Sequence, residues 1–542
     1  MSTEKSSIMH REDLDDAAIH DAEQLAAMGH AQSLSRKFSP WSMLALSFSI
    51  LGTWATFAVD LSNGLTNGGA ITILWGLCLV TFCNLCVAVS LAELCSSMPT
   101  ALGQAYWVSR LWTSPLGRFV SYSCAWINVF GWWTLAASQN AFMTDIILGM
   151  NVMLDESWTE GDKRWLKFVI YISITIIMTV SNIVACRRDW ILRWFNNVVG
   201  AWFGAEFIIF ALAMLISVGV KSDLSFQPAS FVFTQWINNT GWSDGVVWFI
   251  GLVQSAYGLT AFDSVIHLIE ELPSPQKNGP RIIWLSVLIG SISGMIFMIV
   301  CLFCIQSLEK VLQPPSGFPF LELLKETIGP KGGFALIVFF TTQMLGQAVS
   351  MTTTASRLTW GFARDGGLPF NNYLTHVDNY WKVPARALWF QGGIIGLVGV
   401  LYFFTEVVIQ AVVSVCTIAL TISYGIPILA LVMFGMGDIP PGDFTLGRLR
   451  PVANWVGLTY CGVTTVFFFF PSSPKPTAIG MNYAIAVFGI MVLIAISFWF
   501  IKGQHTYLRT DGALVEMNRA EQLEAQNGRR IYPEQDQASK IS

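Results

Sequence analysis

Apolar residues occur along this chain in long blocks that are separated by short polar segments. Each block is about 20 to 25 residues long, which is the length that an α-helix needs to cross the hydrocarbon core of a bilayer. The pattern therefore predicts an all-α membrane protein with about twelve transmembrane helices. The predicted spans are 41–63, 70–95, 118–145, 165–186, 192–218, 246–270, 282–306, 333–356, 386–404, 408–434, 452–471 and 482–501.

Polar segments flank the apolar blocks at both ends of the chain. Neither segment has enough apolar residues to pack by itself, so we expect residues 1–38 and 503–542 to be disordered tails in the cytosol. A short helix near residues 14–28 is the exception that the sequence suggests. Residues 39–502 then form one twelve-helix domain.

Composition supports a membrane protein and excludes several other classes. The chain is 53% hydrophobic and 12% charged, whereas about a quarter of the residues in soluble proteins are charged. The net charge of -4 shows no basic bias, so we expect no nucleic-acid partner. The sequence has no nucleophile–base pair, phosphate-binding glycine loop or zinc spacing. We therefore expect no enzyme, no cofactor and no metal, and we expect the ten cysteines to be free thiols in apolar blocks.

The positive charges predict how the helices are oriented. Under the predicted spans, most Lys and Arg residues fall on one side, which is cytoplasmic by the positive-inside rule. Both termini then lie in the cytoplasm, and the longer loops 146–164, 219–245 and 307–332 lie outside. Asn238 begins a glycosylation triplet on that outer side, and its use is left open. The residues that define the cytoplasmic side are Arg36, Lys37, Arg110, Arg118, Arg187, Arg188, Arg193, Lys277, Arg281, Arg357, Arg364, Lys382, Arg386, Arg448 and Arg450.

Two distant spans share a local motif. The first span contains Ser49-x-x-Gly52 and the sixth contains Ser255-x-x-Gly258, and in both a Thr, an Ala and an aromatic residue follow. A mid-span glycine weakens a helix, and nearby hydroxyl groups satisfy the backbone that an interruption exposes. The first and sixth spans are equivalent in a protein built from two inverted five-helix repeats, so we predict a discontinuous helix at each site. The alternative is that each glycine only permits close helix packing.

Three further motifs identify a family. They are Glu93-Leu94-x-Ser96-x-x-Pro99 with Gly103 after the second span, 362–369 (Phe-Ala-Arg-Asp-Gly-Gly-Leu-Pro) followed by Val383-Pro384, and Asp263-x-x-x-His267-x-x-Glu270-Glu271. Over residues 39–501 the chain resembles the fungal amino-acid/choline permeases of the amino acid-polyamine-organocation superfamily. Gln104 replaces the second glycine of the first motif. The resemblance implies two inverted five-helix repeats in a LeuT-like arrangement, two additional helices, and transport by alternating access.

The two predicted interruptions are the candidate substrate site. A broken helix exposes amide groups on one half and carbonyl groups on the other, and these bind a zwitterion or a cation. Aromatic rings nearby favour an organic ammonium group, and Asp263 is placed to pair with it. The alternative for each aromatic residue is packing, because the chain has 22 Trp. The predicted substrate-binding residues are Gly52, Thr53, Trp54, Phe57, Trp133, Tyr257, Gly258, Thr260, Phe262 and Asp263.

Coupling and gating residues are predicted on two spans. Asp263, His267 and Glu270 share one helical face, which suggests an exit pathway, a proton relay or an inner gate. A solvated helix end is the alternative for Glu270 and Glu271. Glu206 is the other acid deep in a span, and we predict that it carries the coupling proton. Hydroxyl groups on the eighth span leave sodium coupling as an alternative, although such groups often bond their own backbone.

The sequence as a whole predicts a secondary active transporter. We expect it to import a small nitrogen-containing organic solute, either a choline-like ammonium compound or GABA, by proton symport. The alternatives are a general amino-acid or polyamine permease and a non-transporting nutrient sensor. We expect a location in the plasma membrane, with the vacuolar membrane as the alternative, and the sequence leaves the oligomeric state open.

Overall fold

A computed structural model describes residues 19, 21–378, 380–403, 406–435, 439–477 and 481–508. Within this part of the chain the regular structure is helical, apart from one isolated bridge between Asn67 and Asn238. The helices are α1 Pro40–Leu51, α2 Thr53–Val59, α3 Leu61–Thr66, α4 Gly69–Ser97, α5 Gln104–Leu111, α6 Pro115–Leu154, α7 Arg164–Cys186, α8 Asp189–Val220, α9 Ala229–Thr234, α10 Asp244–Gly258, α11 Ser264–His267, α12 Pro275–Cys304, α13 Leu308–Leu312, α14 Pro319–Thr327, α15 Pro330–Arg364, α16 Asn371–Leu374, α17 Ala385–Phe403, α18 Glu406–Ala430, α19 Arg450–Phe467 and α20 Ala484–Thr506.

Nine of the helical segments in the described residues are long and apolar enough to cross a membrane. Their burial divides them into an inner and an outer set. The segment formed by α1 and α2 is 78% buried inside the protein, whereas the windows of α8 and α20 are 33% and 22% buried. The poorly buried helices carry exposed apolar side chains such as Ile208, Ile209 and Leu493, so they form the shell that faces lipid.

Three other helices occupy predicted spans outside this set of nine. They are the 40-residue helix α6, the interrupted pair α10 and α11, and the 18-residue helix α19. Helix α6 packs along α15 and α18, and α19 packs against α18 and α4. These helices therefore belong to the inner bundle that surrounds the candidate site.

Residues 21–38, directly before α1, pack onto the folded domain, which corrects the prediction of a disordered tail for these residues. Residues 21–27 are helical, and residues 21–38 form a segment that we call the strap. Apolar side chains of the strap are buried, including Leu25, Leu34 and Phe38. Because these side chains pack against the folded domain rather than against one another, the polar composition of the segment did not reveal them. The rest of that tail prediction, including residues 1–18, lies outside the described residues.

The end of α20 also extends the folded part beyond residue 502. Tyr507 is fully buried, and its hydroxyl lies 2.8 Å from the Ser121 Oγ of α6. The Leu508 amide donates a hydrogen bond of 3.0 Å to the carbonyl oxygen of Asp365. The predicted boundary of the second tail is therefore wrong for residues 503–508, and residues 509–542 lie outside the described part.

Candidate substrate site and gates

The first predicted interruption is present between α1 and α2. Ser39 and Ser42 form a capping box that starts α1, and the helix ends at Leu51. Gly52 adopts a left-handed conformation with φ of 55°, which glycine tolerates without the steric cost that a Cβ would add. The chain then resumes as α2 from Thr53. The last carbonyl groups of α1 consequently have no helical amide to accept from.

Two glutamines cap this break. The Gln347 Nε2 of α15 donates a hydrogen bond of 3.0 Å to the Ile50 carbonyl oxygen. Gln139 of α6 donates in turn to the Gln347 Oε1 at 3.1 Å. A Cβ at Gly52 would lie 2.3 Å from the Gln347 Nε2, so the absence of a side chain at residue 52 makes room for the cap. Sequence reasoning missed both glutamines, although amide side chains inside apolar spans were a signal for them.

The second interruption lies between α10 and α11. Helix α10 ends at Gly258, and residues 259–263 connect it to α11. The left-handed residue in this connection is Ala261, with φ of 70°, rather than a glycine. The hydroxyl of Tyr424 on α18 accepts a hydrogen bond of 3.1 Å from the Ala261 amide. Tyr424 therefore holds the broken backbone, and the sequence offered no signal for this role.

Asp263 lies at the end of this connection and is completely buried. Tyr424 donates to its Oδ1 at 2.7 Å. Four other side chains lie within hydrogen-bonding distance of Oδ2. They are Gln104 at 2.9 Å, His267 at 3.0 Å, Trp132 at 3.2 Å and Asn128 at 3.3 Å. Five protein groups therefore contact the carboxylate that was predicted to pair with a substrate ammonium group. In this conformation Asp263 does not line the described cavities.

Both ring nitrogens of His267 face hydrogen-bond acceptors. Its Nε2 faces the Asp263 Oδ2 at 3.0 Å, and its Nδ1 faces the Ala101 carbonyl oxygen at 2.9 Å. Both partners are acceptors, since Oδ2 already receives hydrogen bonds from amide and indole groups. A proton on each ring nitrogen satisfies both contacts. Asp263 and His267 then form a buried ion pair one helical turn apart.

Two more ion pairs follow along the chain, and we call Glu270, Glu271, Arg357 and Arg364 the ion-pair cluster. Arg364 donates to both carboxylate oxygens of Glu270 at 3.0 Å. Arg357 donates to the Glu271 Oε1 at 2.7 Å, and both of these side chains are fully buried. Glu270 is 6% exposed, so the alternative of a solvated helix end is wrong. Burial of these carboxylates is possible because each has an arginine partner.

The strap covers the ion-pair cluster. Its Gln32 side chain donates to the Glu270 carbonyl oxygen at 3.0 Å, and the Phe38 amide donates to the Glu271 carbonyl oxygen at 3.2 Å. His30 is buried beside Asp365, with 3.7 Å between its Nδ1 and the Asp365 Oδ1. Burial and the nearby positive charge of Arg364 lower the pKa of His30 to about 3. His30 is therefore neutral at physiological pH.

The predicted aromatic residues have different surroundings. Trp54 is fully buried among the rings of Phe203 and Phe297, at centroid distances of 5.1 Å and 4.8 Å. Phe57 packs against Gly258, where a Cβ would lie 2.3 Å from its ring. Among the predicted substrate-binding residues, Tyr257 lines the described cavities, and its hydroxyl lies 3.2 Å from the Ser138 Oγ. In this conformation Trp54 and Phe57 therefore have a packing role.

The remaining predicted residues also lie inside the bundle. The Trp133 indole donates to the Thr359 Oγ1 at 3.0 Å. The ring of Phe262 packs at a tilt against that of Tyr424, with a centroid distance of 4.8 Å. Thr53 and Thr260 are buried beside the two breaks, at 0% and 4% exposure.

A large cavity opens on the side of the bundle that carries the loop after α6. We call this cavity, of about 720 Å³, the vestibule. Its walls come from α2, α3, α6, α10 and α18, and Phe142 and Tyr257 are among its lining residues. The described lining residues include four carboxylates and one lysine, which are Asp60, Asp145, Glu156, Asp162 and Lys167. Glu156 also pairs with Lys325, and the three other carboxylates outnumber the single lysine of the lining.

A small cleft of about 10 Å³ adjoins the vestibule. Val59, Phe142 and Tyr257 line both spaces, and Gln139 and Gln347 close the cleft beside the first break. This volume is about the room that one water molecule needs. The first break is therefore separated from the vestibule by side chains rather than by backbone.

Glu206 lies in the middle of α8, away from both cavities. It is 1% exposed, and neither carboxylate oxygen has a hydrogen-bond partner among the described residues. The indole of Trp202 on the same helix lies near this carboxyl group without reaching hydrogen-bonding geometry. A buried carboxyl group without a donor is most stable in its neutral, protonated form.

Comparisons with known proteins assign this bundle to a class. Residues 38–495 match the model of a family described as amino acid permease. The chain therefore belongs to the amino acid permease family, which consists of membrane transporters rather than enzymes. The family resemblance drawn from the motifs is thereby confirmed, and the chain is a multi-pass secondary transporter of the amino acid/polyamine/choline type.

Individual relatives and one solved structure agree with this class. The chain is 31% identical to a Macrophomina phaseolina protein assigned as an amino acid/polyamine transporter, over 82% of this chain and 97% of that protein. It is 28% identical to the choline transporter of Saccharomyces cerevisiae over 88% and 83%, and 26% identical to the GABA-specific permease of that yeast over 90% and 85%. The structure of MhsT in complex with L-phenylalanine aligns with a TM-score of 0.54 and 14% identity, over 79% of this chain and 97% of MhsT, so the two share a fold.

Proposed function

We propose that this permease imports a small organic solute with a positively charged nitrogen, such as GABA or a choline-like ammonium compound, by proton symport. The observation that carries the proposal is the vestibule, whose carboxylates outnumber its lysine and whose inner part has aromatic side chains. Negative charge in a cleft raises the local concentration of cations, and aromatic rings stabilise an ammonium group. The names of the yeast relatives support the same solutes.

The transport route in this proposal follows alternating access across twelve transmembrane helices arranged as two inverted repeats of five, with two additional helices. The breaks at Gly52 and at residues 259–263 fall on the first and sixth of these helices, as an inverted repeat requires. The solute enters through the vestibule and moves toward the two breaks; nine of the ten predicted substrate-binding residues lie on the interrupted helices, and Trp133 lies on α6. Asp263, His267 and the ion-pair cluster act as the inner gate.

The location and orientation are part of the proposal. The positive charges support a cytoplasmic location for the strap, the ion-pair cluster and both termini, with the vestibule facing outward. The plasma membrane is the proposed location, and a vacuolar membrane is the alternative. Immunolocalisation of a tagged protein, with protease access to the loop that contains Asn238, tests both points.

An uptake screen in a permease-deficient host tests the substrate. Radiolabelled GABA, choline, polyamines and neutral amino acids are supplied separately, and accumulation is measured in cells and in vesicles. We expect accumulation of GABA or choline. If only neutral amino acids or polyamines accumulate, the general permease is the correct function. If solute binds without accumulating, the protein is a sensor.

Glu206 is the proposed proton carrier. Because its carboxyl group has no donor and no cationic partner among the described residues, it can bind and release a proton without breaking a hydrogen bond. In wild type we expect uptake to rise as the external pH falls, and Glu206→Gln should make uptake independent of pH. Glu156→Gln, at the exposed edge of the vestibule, is the control and should keep the wild-type profile. An unchanged profile in Glu206→Gln eliminates Glu206 as the carrier.

A further inference from the structure

The cap on the first break resembles a bound ligand in its chemistry. Gln347 places an N–H group on the Ile50 carbonyl oxygen at 3.0 Å, which is where a solute's ammonium group would donate. We propose that Gln347 is an internal substitute for the substrate, and that the substrate displaces it with its own N–H donor. The substrate class is then a solute whose charged nitrogen carries hydrogen, such as a primary amine, and not a quaternary ammonium compound. This inference rests on the proposed function.

The geometry requires displacement. The cleft beside Gln347 has the room of about one water molecule, so no solute reaches the Ile50 carbonyl while the amide stays in place. The Gln347 side chain is 3% exposed, and Gln139 supports it at 3.1 Å. Both glutamines line the cleft that adjoins the vestibule, so the path of displacement leads from the vestibule side.

The chemistry of the acceptor selects the substrate class. A carbonyl at the end of a broken helix is a hydrogen-bond acceptor, and leaving it unpaired in a buried site is costly. When the Gln347 amide moves away, only a group with an N–H or O–H replaces its hydrogen bond. A primary ammonium group does so directly. A trimethylammonium group has the same charge but no hydrogen on nitrogen, so it cannot replace this hydrogen bond and binds in the vestibule without displacing Gln347.

Gln347→Ala tests the inference because it removes the internal donor. Two competitors are compared against whichever radiolabelled solute the wild type accumulates: GABA and its N,N,N-trimethyl derivative, which have the same chain length and charge. We expect the inhibition constant of GABA to fall roughly fivefold, because it no longer displaces a hydrogen bond of ordinary strength. The inhibition constant of the trimethyl derivative should stay unchanged, because it competes from the vestibule in both proteins. A purely structural role for Gln347 would shift both constants together.

Gln391→Ala is the matched control. Gln391 on α17 is buried and donates to the Thr352 carbonyl of α15 at 2.9 Å, so it makes the same kind of bond away from the breaks. It should leave the ratio of the two constants unchanged. If Gln347→Ala does not fold, Gln347→Met keeps the length without the donor and gives the same readout. Equal shifts of the two inhibition constants, or no shift in either, overturn the inference. A wild type that accumulates none of the screened solutes overturns the proposed function and the inference with it.

Discussion

The break between α1 and α2 and the break between α10 and α11 arise from similar sequences but have different surroundings. At the first break, neutral amides from Gln347 and Gln139 cap the free carbonyl beside a cleft that adjoins the vestibule. At the second, Tyr424 holds the backbone, and the buried pair of Asp263 and His267 follows at once. One break is neutral and near a cavity, and the other is charged and enclosed.

These different surroundings suit the two breaks to different functions. A neutral cap is exchanged for another hydrogen-bond donor at small cost, because a typical net hydrogen bond contributes about 1 kcal/mol. A buried ion pair that loses one partner leaves an uncompensated charge, at a cost of about 3 to 5 kcal/mol. The first break is therefore suited to binding a solute, and the second to a cooperative structural change of the bundle.

The largest expected effect tests the charged break. Asp263→Asn leaves the His267 charge without its partner, so we expect a loss of about 3 to 5 kcal/mol in stability and a loss of uptake. Thermal unfolding of the purified protein and vesicle uptake measure the two effects. Adding His267→Gln removes the unpaired charge and should recover part of the stability. Asp60→Asn in the vestibule is the control and should unfold like wild type. Wild-type unfolding and uptake of Asp263→Asn would refute the contrast between the two breaks.

An intermediate effect compares the two motif glycines. Gly52→Ala meets both a left-handed backbone, which costs about 1 to 2 kcal/mol, and the Gln347 amide, whose loss costs about 1 kcal/mol. Gly258→Ala has no left-handed backbone and meets only the Phe57 ring. Phe57→Leu should therefore restore the stability of Gly258→Ala but not that of Gly52→Ala. Thermal unfolding of the four variants gives the result, and equal rescue of both would contradict this difference between the two glycines.

The smallest effect concerns the strap that covers the end of the second broken helix. The pKa of His30 is about 3 in the fold and 6.5 when unperturbed, so the unfolded segment binds a proton that the folded one does not. Protonation therefore favours the unfolded segment, and the folded strap loses stability as the pH falls from above 6.5 toward 3. Between pH 7 and pH 5 we expect the strap to lose up to about 2 kcal/mol.

Proteolysis of the strap measures this effect. The groups that act on His30 are Arg364, Glu270, Arg110 and Asp365. Cleavage within residues 21–38 should accelerate at pH 5 in wild type and should not depend on pH in His30→Gln. Equal acceleration in both proteins would assign the effect to another of these groups.

The hydrophobic pattern predicted the helical membrane fold and the position of each break, because both are local properties. A span needs a certain number of apolar residues, and Gly52 and Gly258 weaken the helix where they stand. The family motifs likewise lie in continuous stretches of sequence. The predicted boundary of the first tail failed because Leu25 and Phe38 pack against residues that are far away in the chain.

The identities of the candidate site residues depended on tertiary contacts. The sequence alone determined the broken helices and the acids within the spans, because composition and spacing are visible along the chain, and the resemblance of its motifs to a known family implied the class of transporter. Only the tertiary structure decided that Gln347 from α15 caps the first break and that five side chains enclose Asp263. The physical reason is that buried polar groups take whichever partners the packing of distant helices brings within about 3 Å, and periodicity along one helix carries no information about the others.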